Sequence, residues 1–134
     1  MTCYYFDSSA IAKLVVNEAE SGPLRDLASP EDLWMTCDLA RTEVMRSVTR
    51  RESLSAADVL VQLQRFRIIS LDRDVYEMAG RIQPARLRSL DAIHVAAALS
   101  LGSDLTALVT YDARMAEAAR LNGLAVLSPG LNGL

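Results

Sequence analysis

Cys3-Tyr4-Tyr5-Phe6-Asp7-Ser8-Ser9-Ala10-Ile11-Ala12-Lys13-Leu14 decides the fold class. Cys3–Phe6 reads as a short apolar strand, and Asp7 follows it at once. Ser8–Val16 reads as a helix with Ser8 or Ser9 as its N-cap. A carboxylate at the carboxyl end of a strand opens onto the crevice where open α/β sheets place their sites. The chain repeats this arrangement at Val109-Thr110-Tyr111-Asp112, again a strand running into a helix.

Between these two landmarks, strands and helices alternate. Pro23 opens a short helix to Leu27, Leu33–Thr36 is a strand, and Asp38 caps a helix over Leu39–Arg51. Ser55 caps Ala56–Phe66, Ile68–Leu71 is a strand, and Asp72 or Asp74 starts a helix that ends near Ile82, with Pro84 closing it. Ser89 caps Leu90–Leu101, which Gly102 ends. Leu108–Tyr111 is a strand, Ala113–Asn122 a helix stopped by Gly123, and Ala125–Leu127 a last strand. This order predicts an α/β fold with a mostly parallel sheet covered on both faces. No repeat or linker divides the 134 residues, so one domain spans 1–134, with 129–134 expected as a loose tail.

At 51% hydrophobic, the chain can build a sizeable core, which argues against disorder. No apolar run reaches the ~18 residues that cross a bilayer, and the N-terminus has no basic region of a signal peptide. A cytoplasmic protein without membrane association is expected. Cys3 and Cys37 lack metal-ligand spacing. Their plain reading is two buried, reduced thiols, although the sequence leaves a bridge between them open. A formal charge of −3 speaks against a passive nucleic-acid coat, which is usually basic. It does not exclude a nuclease, because the acids of a metal site add to the negative count.

Four acids stand out by position: Asp7 and Asp112 after strands, and Glu43 and Asp91 on largely apolar helices. Each has a bland reading. Asp7 and Asp112 can serve as N-caps, Asp91 as a first-turn acid facing the helix dipole, and Glu43 as a surface acid paired with Arg46 or Arg50. All four in the expected places make a site for a hard divalent cation, whose chemistry favours oxygen ligands and phosphate substrates.

Asp7-Ser8-Ser9-Ala10-Ile11-Ala12-Lys13-Leu14, Arg41-Thr42-Glu43-Val44, Leu90-Asp91-Ala92-Ile93-His94-Val95-Ala96-Ala97-Ala98 and Leu108-Val109-Thr110-Tyr111-Asp112, taken in order, resemble a PIN-domain ribonuclease of the VapBC toxin type. The likeness runs from about residue 3 to residue 128. It implies a PIN-like three-layer fold with four to five central strands, and a Mg²⁺-dependent endoribonuclease for which Mn²⁺ can substitute. By the same resemblance Asp7, Glu43, Asp91 and Asp112 form the catalytic quartet. Asp7 and Asp91 are the main Mg²⁺ ligands, while Glu43 and Asp112 act through water or on a second ion. Ser8 and Thr110 fall where the family orients these acids. A cognate VapB-type antitoxin, an RNA substrate such as tRNA or rRNA, and a homodimer are implied as well.

Other residues invite weaker readings. His94 is the only histidine, and a buried helix position suits it better than a general base. Arg46 and Arg50 share a helical face with Glu43 and are candidates to grip RNA, beside Lys13, which is the only lysine. Arg86 and Arg88 precede the Asp91 helix and are lesser candidates. Trp34 and the methionines read as packing. Two competing functions remain: a catalytically silent PIN-like scaffold, which the complete quartet opposes, and a phospho-accepting receiver domain. A receiver needs a lysine near a late strand and paired acids after the first; here Lys13 is early and Ser8-Ser9 follow Asp7.

Overall fold

The computed structural model describes residues 2–27, 29–51 and 55–131. Its elements are β1 (Cys3–Phe6), α1 (Ser8–Val15), α2 (Ser21–Leu27), β2 (Leu33–Cys37), α3 (Leu39–Thr49), α4 (Ala56–Leu63) and β3 (Arg67–Ile69). There follow α5 (Arg73–Ala79), α6 (Ser89–Leu99), a 3₁₀ turn at Gly102–Asp104, β4 (Ala107–Val109), α7 (Ala113–Leu121) and β5 (Val126–Leu127). The five strands lie in the order β3-β2-β1-β4-β5, and every pairing is parallel. The expected three-layer α/β fold is present, with a sheet more uniformly parallel than anticipated.

Strand periodicity builds the layers. Alternate residues of a strand face opposite sides, so Tyr4 and Phe6 enter one core while Tyr5 enters the other. Likewise Ala107 and Val109 join the first core and Leu108 the second. The first core is closed by Ile11 and Leu14 of α1, Leu24 of α2, Val44 and Val48 of α3 and Val59 of α4. Phe6 anchors it, stacked on Trp34 at 4.7 Å between ring centroids and edge-on to Phe66 at 5.1 Å. The second core is closed by Val75 of α5, Val95–Ala98 of α6 and Met115 of α7. The small Ala96-Ala97-Ala98 run is fully buried, which lets α6 pack closely.

The topology positions the site. From β1 the chain builds outward through β2 to β3, then crosses back to place β4 on the other side of β1. The carboxyl ends of β1 and β4 therefore flank the point where winding reverses, the standard binding crevice of such sheets. Asp7 extends the pairing by donating its N–H to the Val109 carbonyl at 3.2 Å.

Several element ends differ from expectation. Asp7, not Ser8 or Ser9, caps α1, accepting from the Ala10 N–H at 3.0 Å. Asp38 has helical backbone angles and makes no capping bond; its carboxylate pairs with Arg41 instead. Ser89 is the first residue of α6, and Arg88 occupies the cap position. Helix α2 starts at Ser21, whose hydroxyl bonds the Lys13 and Val16 carbonyls, ahead of Pro23. β4 stops at Val109, leaving Thr110 and Tyr111 in the connection to α7. Residues 129–131 are not loose: the Tyr111 hydroxyl donates to the Pro129 carbonyl at 2.7 Å. Gly130 has φ +83 and lies so close to Pro23 that a Cβ would sit 3.0 Å from its ring. Residues 132–134 of that expectation lie outside the described residues. Cys3 and Cys37 are both free and buried. Among the described residues no helix is long and apolar enough to cross a membrane.

Candidate active site

At the reversal point lies a pocket of about 400 Å³ lined by Asp7, Glu43, Asp91 and Asp112. Residues from four separate sequence regions build it, and each acid is tethered by at least one oxygen. Asp7 Oδ1 accepts from the Ser9 hydroxyl at 2.7 Å and the Ala10 N–H at 3.0 Å. Its Oδ2 accepts from the Thr110 hydroxyl at 2.5 Å. A carboxylate has about four lone-pair sites, so one on Oδ2 remains. Glu43, from α3, accepts on Oε1 from the Ser8 hydroxyl at 2.7 Å, and His94 Nε2 lies 2.6 Å from the same oxygen. Asp112 caps α7, with Oδ1 taking the N–H groups of Arg114 and Met115 at 2.9 and 3.1 Å. Asp91 stands in the first turn of α6, and its Oδ2 accepts from Arg88 Nε at 3.2 Å. Among the described residues, Glu43 Oε2 and Asp91 Oδ1 accept no hydrogen bond, and Asp112 Oδ2 meets only Arg88 Nη2 at 3.7 Å.

Asp7 and Asp112 each do two things: both cap a helix, and both line the pocket. Thr110 joins them, since its hydroxyl donates to Asp7 and accepts from the Asp112 N–H at 3.0 Å. The strand ending at Val109 frees Thr110 for this bridge.

Electrostatics separate Asp7 from Glu43. Burial pushes the Asp7 carboxyl up, more than the His94 charge and the bonds from Thr110, Ser9 and Ala10 bring it down. Burial would raise Glu43 too, but its bonds with His94 and Ser8 prevail and hold it below the ordinary range. Burial alone would lower His94; contacts with Cys37 and Glu43 and the charge of Asp7 raise it to about 10. The 2.6 Å contact with a carboxylate is the charge-assisted one, against 3.8 Å to Cys37 Sγ, so the pair is imidazolium and carboxylate at neutral pH. Both ring nitrogens then donate, Nε2 to Glu43 and Nδ1 to the Tyr5 oxygen at 2.8 Å.

The donor set is all oxygen, which suits Mg²⁺ or Mn²⁺. Among the described residues no three acid, histidine or cysteine side chains converge tightly enough to chelate an ion directly.

The basic candidates divide. Arg50 lines the pocket, while Arg46 is exposed and does not. Lys13 is also outside it, paired with Glu18 at 2.8 Å and Glu20 at 3.3 Å and lying over the Tyr111 ring. Arg88 stands on the rim between Asp91 and Asp112. His94 is buried, as expected of a packing residue, yet it bonds a pocket acid. Two signals pointed that way: His94 lies one turn beyond Asp91, and Ser47, also in the pocket, lies one turn beyond Glu43.

Residues 4–121 match the PIN-domain family. The chain belongs to this family. It is 41% identical to ribonuclease VapC46 of Mycobacterium tuberculosis over 129 residues, covering 96% of this chain and 99% of the relative. Ribonuclease VapC35 of the same species is 44% identical over 133 residues, covering 94% and 96%. Among solved structures, the PIN protein superimposes on VapC20 of M. tuberculosis, a sarcin–ricin-loop-cleaving toxin, with TM-score 0.71, 20% identity and coverage of 94% and 99%. A toxin–antitoxin complex from Klebsiella pneumoniae gives TM-score 0.70 at 22% identity, covering 94% and 97%. The chain is thus a VapC-type PIN domain in sequence and fold.

Proposed function

We propose that this PIN domain is a metal-dependent endoribonuclease and the toxin of a VapBC-type pair, acting in the cytoplasm. One observation carries the reading: four carboxylates gather in one pocket at the switch point, each tethered yet keeping acceptor capacity. Asp7 and Asp91 would hold Mg²⁺ or Mn²⁺, and Glu43 and Asp112 would hold its waters or a second ion. When bound, such an ion acidifies a water and neutralises charge on the scissile phosphate. The chain's own groups do the positioning. Thr110 and Ser9 fix Asp7, and Ser8 and His94 fix Glu43. Glu43, held ionised, can accept a proton of the attacking water at Oε2 and keep that water oriented. Arg50 and Arg88 line the same pocket and supply positive charge for the phosphate.

The similarity to VapC46 supports ribonuclease activity, and likeness to the K. pneumoniae toxin–antitoxin complex supports an antitoxin partner, of VapB type by the family resemblance. A basic antitoxin side chain entering a pocket of four acids is electrostatically favourable. A homodimer accords with the family resemblance.

The test is Mg²⁺-dependent cleavage of total cellular RNA by wild type beside Asp91→Asn, with the new 5′ ends mapped by sequencing. Discrete ends made by wild type alone are expected. Equal patterns from both proteins would remove Asp91 from the chemistry. No new ends, with metal binding established by calorimetry, would favour a silent scaffold.

A further inference from the structure

Next to the acid pocket, and sharing Arg88 with it, is a second cleft of about 410 Å³ lined by Pro84, Arg86, Leu87, Arg88, Arg114 and Glu117. It lies between the α5–α6 connection and the start of α7. Three guanidinium groups face one carboxylate there, in a chain whose formal charge is −3. Their placement runs against local preference. Arg88 occupies the cap position of α6 and Arg114 the first turn of α7, the helix ends where the macrodipole disfavours a cation. Asp91 and Asp112 compensate Arg88, and Glu117 pairs with Arg86 at 3.3 Å on the surface. Arg114 makes no ion pair among the described residues. A local rule broken in this way is expected where a surface serves function.

We propose that this cleft binds the RNA backbone at a nucleotide flanking the scissile phosphate, with Arg86 and Arg114 as the phosphate grip and Leu87 and Pro84 as an apolar wall for the adjoining ribose or base. The assignment rests on the ribonuclease reading of the acid pocket. Arg88 marks the path, since a strand leaving the acids passes it into the cleft. All three cations are arginines, whose planar fork matches phosphate oxygens bidentately. An acidic peptide would satisfy the arginines too, but Arg88 joins this cleft to the pocket where the ribonuclease reading places the scissile phosphate, and that continuity favours RNA. Extended nucleic acid uses both the charge and the wall.

The experiment measures anisotropy of a 5′-fluorescein-labelled, mixed-sequence, 20-nucleotide single-stranded RNA across a salt series. The full chain is used in calcium buffer, which allows binding while orienting water poorly for cleavage. Arg86→Gln/Arg114→Gln should bind about tenfold more weakly than wild type, with a salt slope smaller by about 0.7 for each phosphate no longer gripped. Arg86→Lys/Arg114→Lys should recover most of the slope. Arg86 is 75% exposed at its side chain, so the change does not disturb the core. Wild-type affinity and slope in the glutamine variant, from a protein that cleaves RNA, would overturn the cleft assignment alone. A wild type that neither binds nor cleaves would overturn the ribonuclease reading and this one with it. Arginine-dependent binding of fluorescein-labelled hexaglutamate, tighter than that of RNA, would assign the cleft to an acidic protein partner instead.

Discussion

On one side of the acid pocket, Asp7 and Glu43 are held by side chains from α1, α6 and the segment after β4. On the other side, Asp91 and Asp112 are held by two backbone N–H groups and one arginine that is 66% exposed. The first wall is preorganised, because the hydroxyls and the imidazolium that orient its acids are themselves packed into the fold. The second is held mainly by groups at two helix N-termini, and its one side-chain partner, Arg88, is exposed to solvent. The acids of one constellation therefore differ in what their removal should do to the fold, and the comparison can be broken by mutation.

The largest effects fall on cleavage. Asp7→Asn and Asp91→Asn should each lower it by at least about 10²–10³-fold, the size of removing one preorganised electrostatic group. Their stabilities should part. Burial raises Asp7, so the folded state binds its proton more tightly than the unfolded chain does. Its ionisation thus costs stability as pH rises past the ordinary carboxyl range, and a neutral amide at neutral pH removes that cost. Asp7→Asn should melt a few degrees higher than wild type, and Asp91→Asn within a degree or two of it, by calorimetry. A lower melting temperature for Asp7→Asn would show that the bond from Thr110 outweighs the buried charge.

The second effect is chiefly on stability. His94→Ala removes a buried partner from Glu43 and leaves the Tyr5 hydroxyl facing a void. Glu43 is partly exposed and can rehydrate, so the cost falls mainly on the orphaned Tyr5 hydroxyl and is about 1–3 kcal/mol. His94→Gln restores a donor of similar reach, so cleavage should stay within about tenfold of wild type. A loss above ~100-fold would mark His94 as a general base rather than a positioning residue.

Much of this architecture was legible in the sequence, for physical reasons that also mark where reading failed. The strand Cys3–Phe6 and the apolar Val95–Ala98 run are buried, and burial demands a hydrophobicity that pattern reading detects. Asp7, Asp91 and Asp112 could be placed because strand ends and helix first turns are fixed by local chain geometry, whereas Glu43, in the second turn of α3, had only its apolar neighbours to mark it. The partners that hold them were not. Ser8 reaching Glu43 spans 35 residues and His94 reaching Glu43 spans 51, and no local rule carries that information. Lys13 shows the same limit: its acids, Glu18 and Glu20, become partners only through the turn after α1. Caps were half legible, since Asp72 and Asp112 do cap their helices but Asp38 enters α3 already in helical conformation.

A smaller effect is a pH dependence in the first wall. His94 is raised from an ordinary value near 6.5 to about 10, so its stabilisation is complete below about pH 6.5 and is lost as pH rises through about 10. Glu43 is lowered, so its share is present above the ordinary carboxyl range and lost as pH falls through its depressed value. Asp7 opposes that acid loss, because protonating it relieves a buried charge. Urea midpoints of wild type minus His94→Gln should therefore fall between about pH 6.5 and 10; the difference cancels Tyr111 and Lys13, which do not touch His94, while Tyr5 and Cys37, which do, titrate as one unit with it. A flat difference would mean His94 is neutral in the fold.

The smallest effect tests the second wall. Arg88 touches Asp91 at 3.2 Å and Asp112 at 3.7 Å, yet its exposed side chain is screened by water and loses rotamer freedom in holding that pose. Exposed pairs contribute about 0–1 kcal/mol, so Arg88→Ala should shift the urea midpoint only slightly. That small shift should shrink further in high salt, whereas the cost of His94→Ala should persist, since a buried pair is little screened. If Arg88→Ala instead cost as much as His94→Ala and kept that cost in salt, the two walls would be equally preorganised. Asp91 and Asp112 would then be held by this arginine as firmly as Glu43 is held by His94.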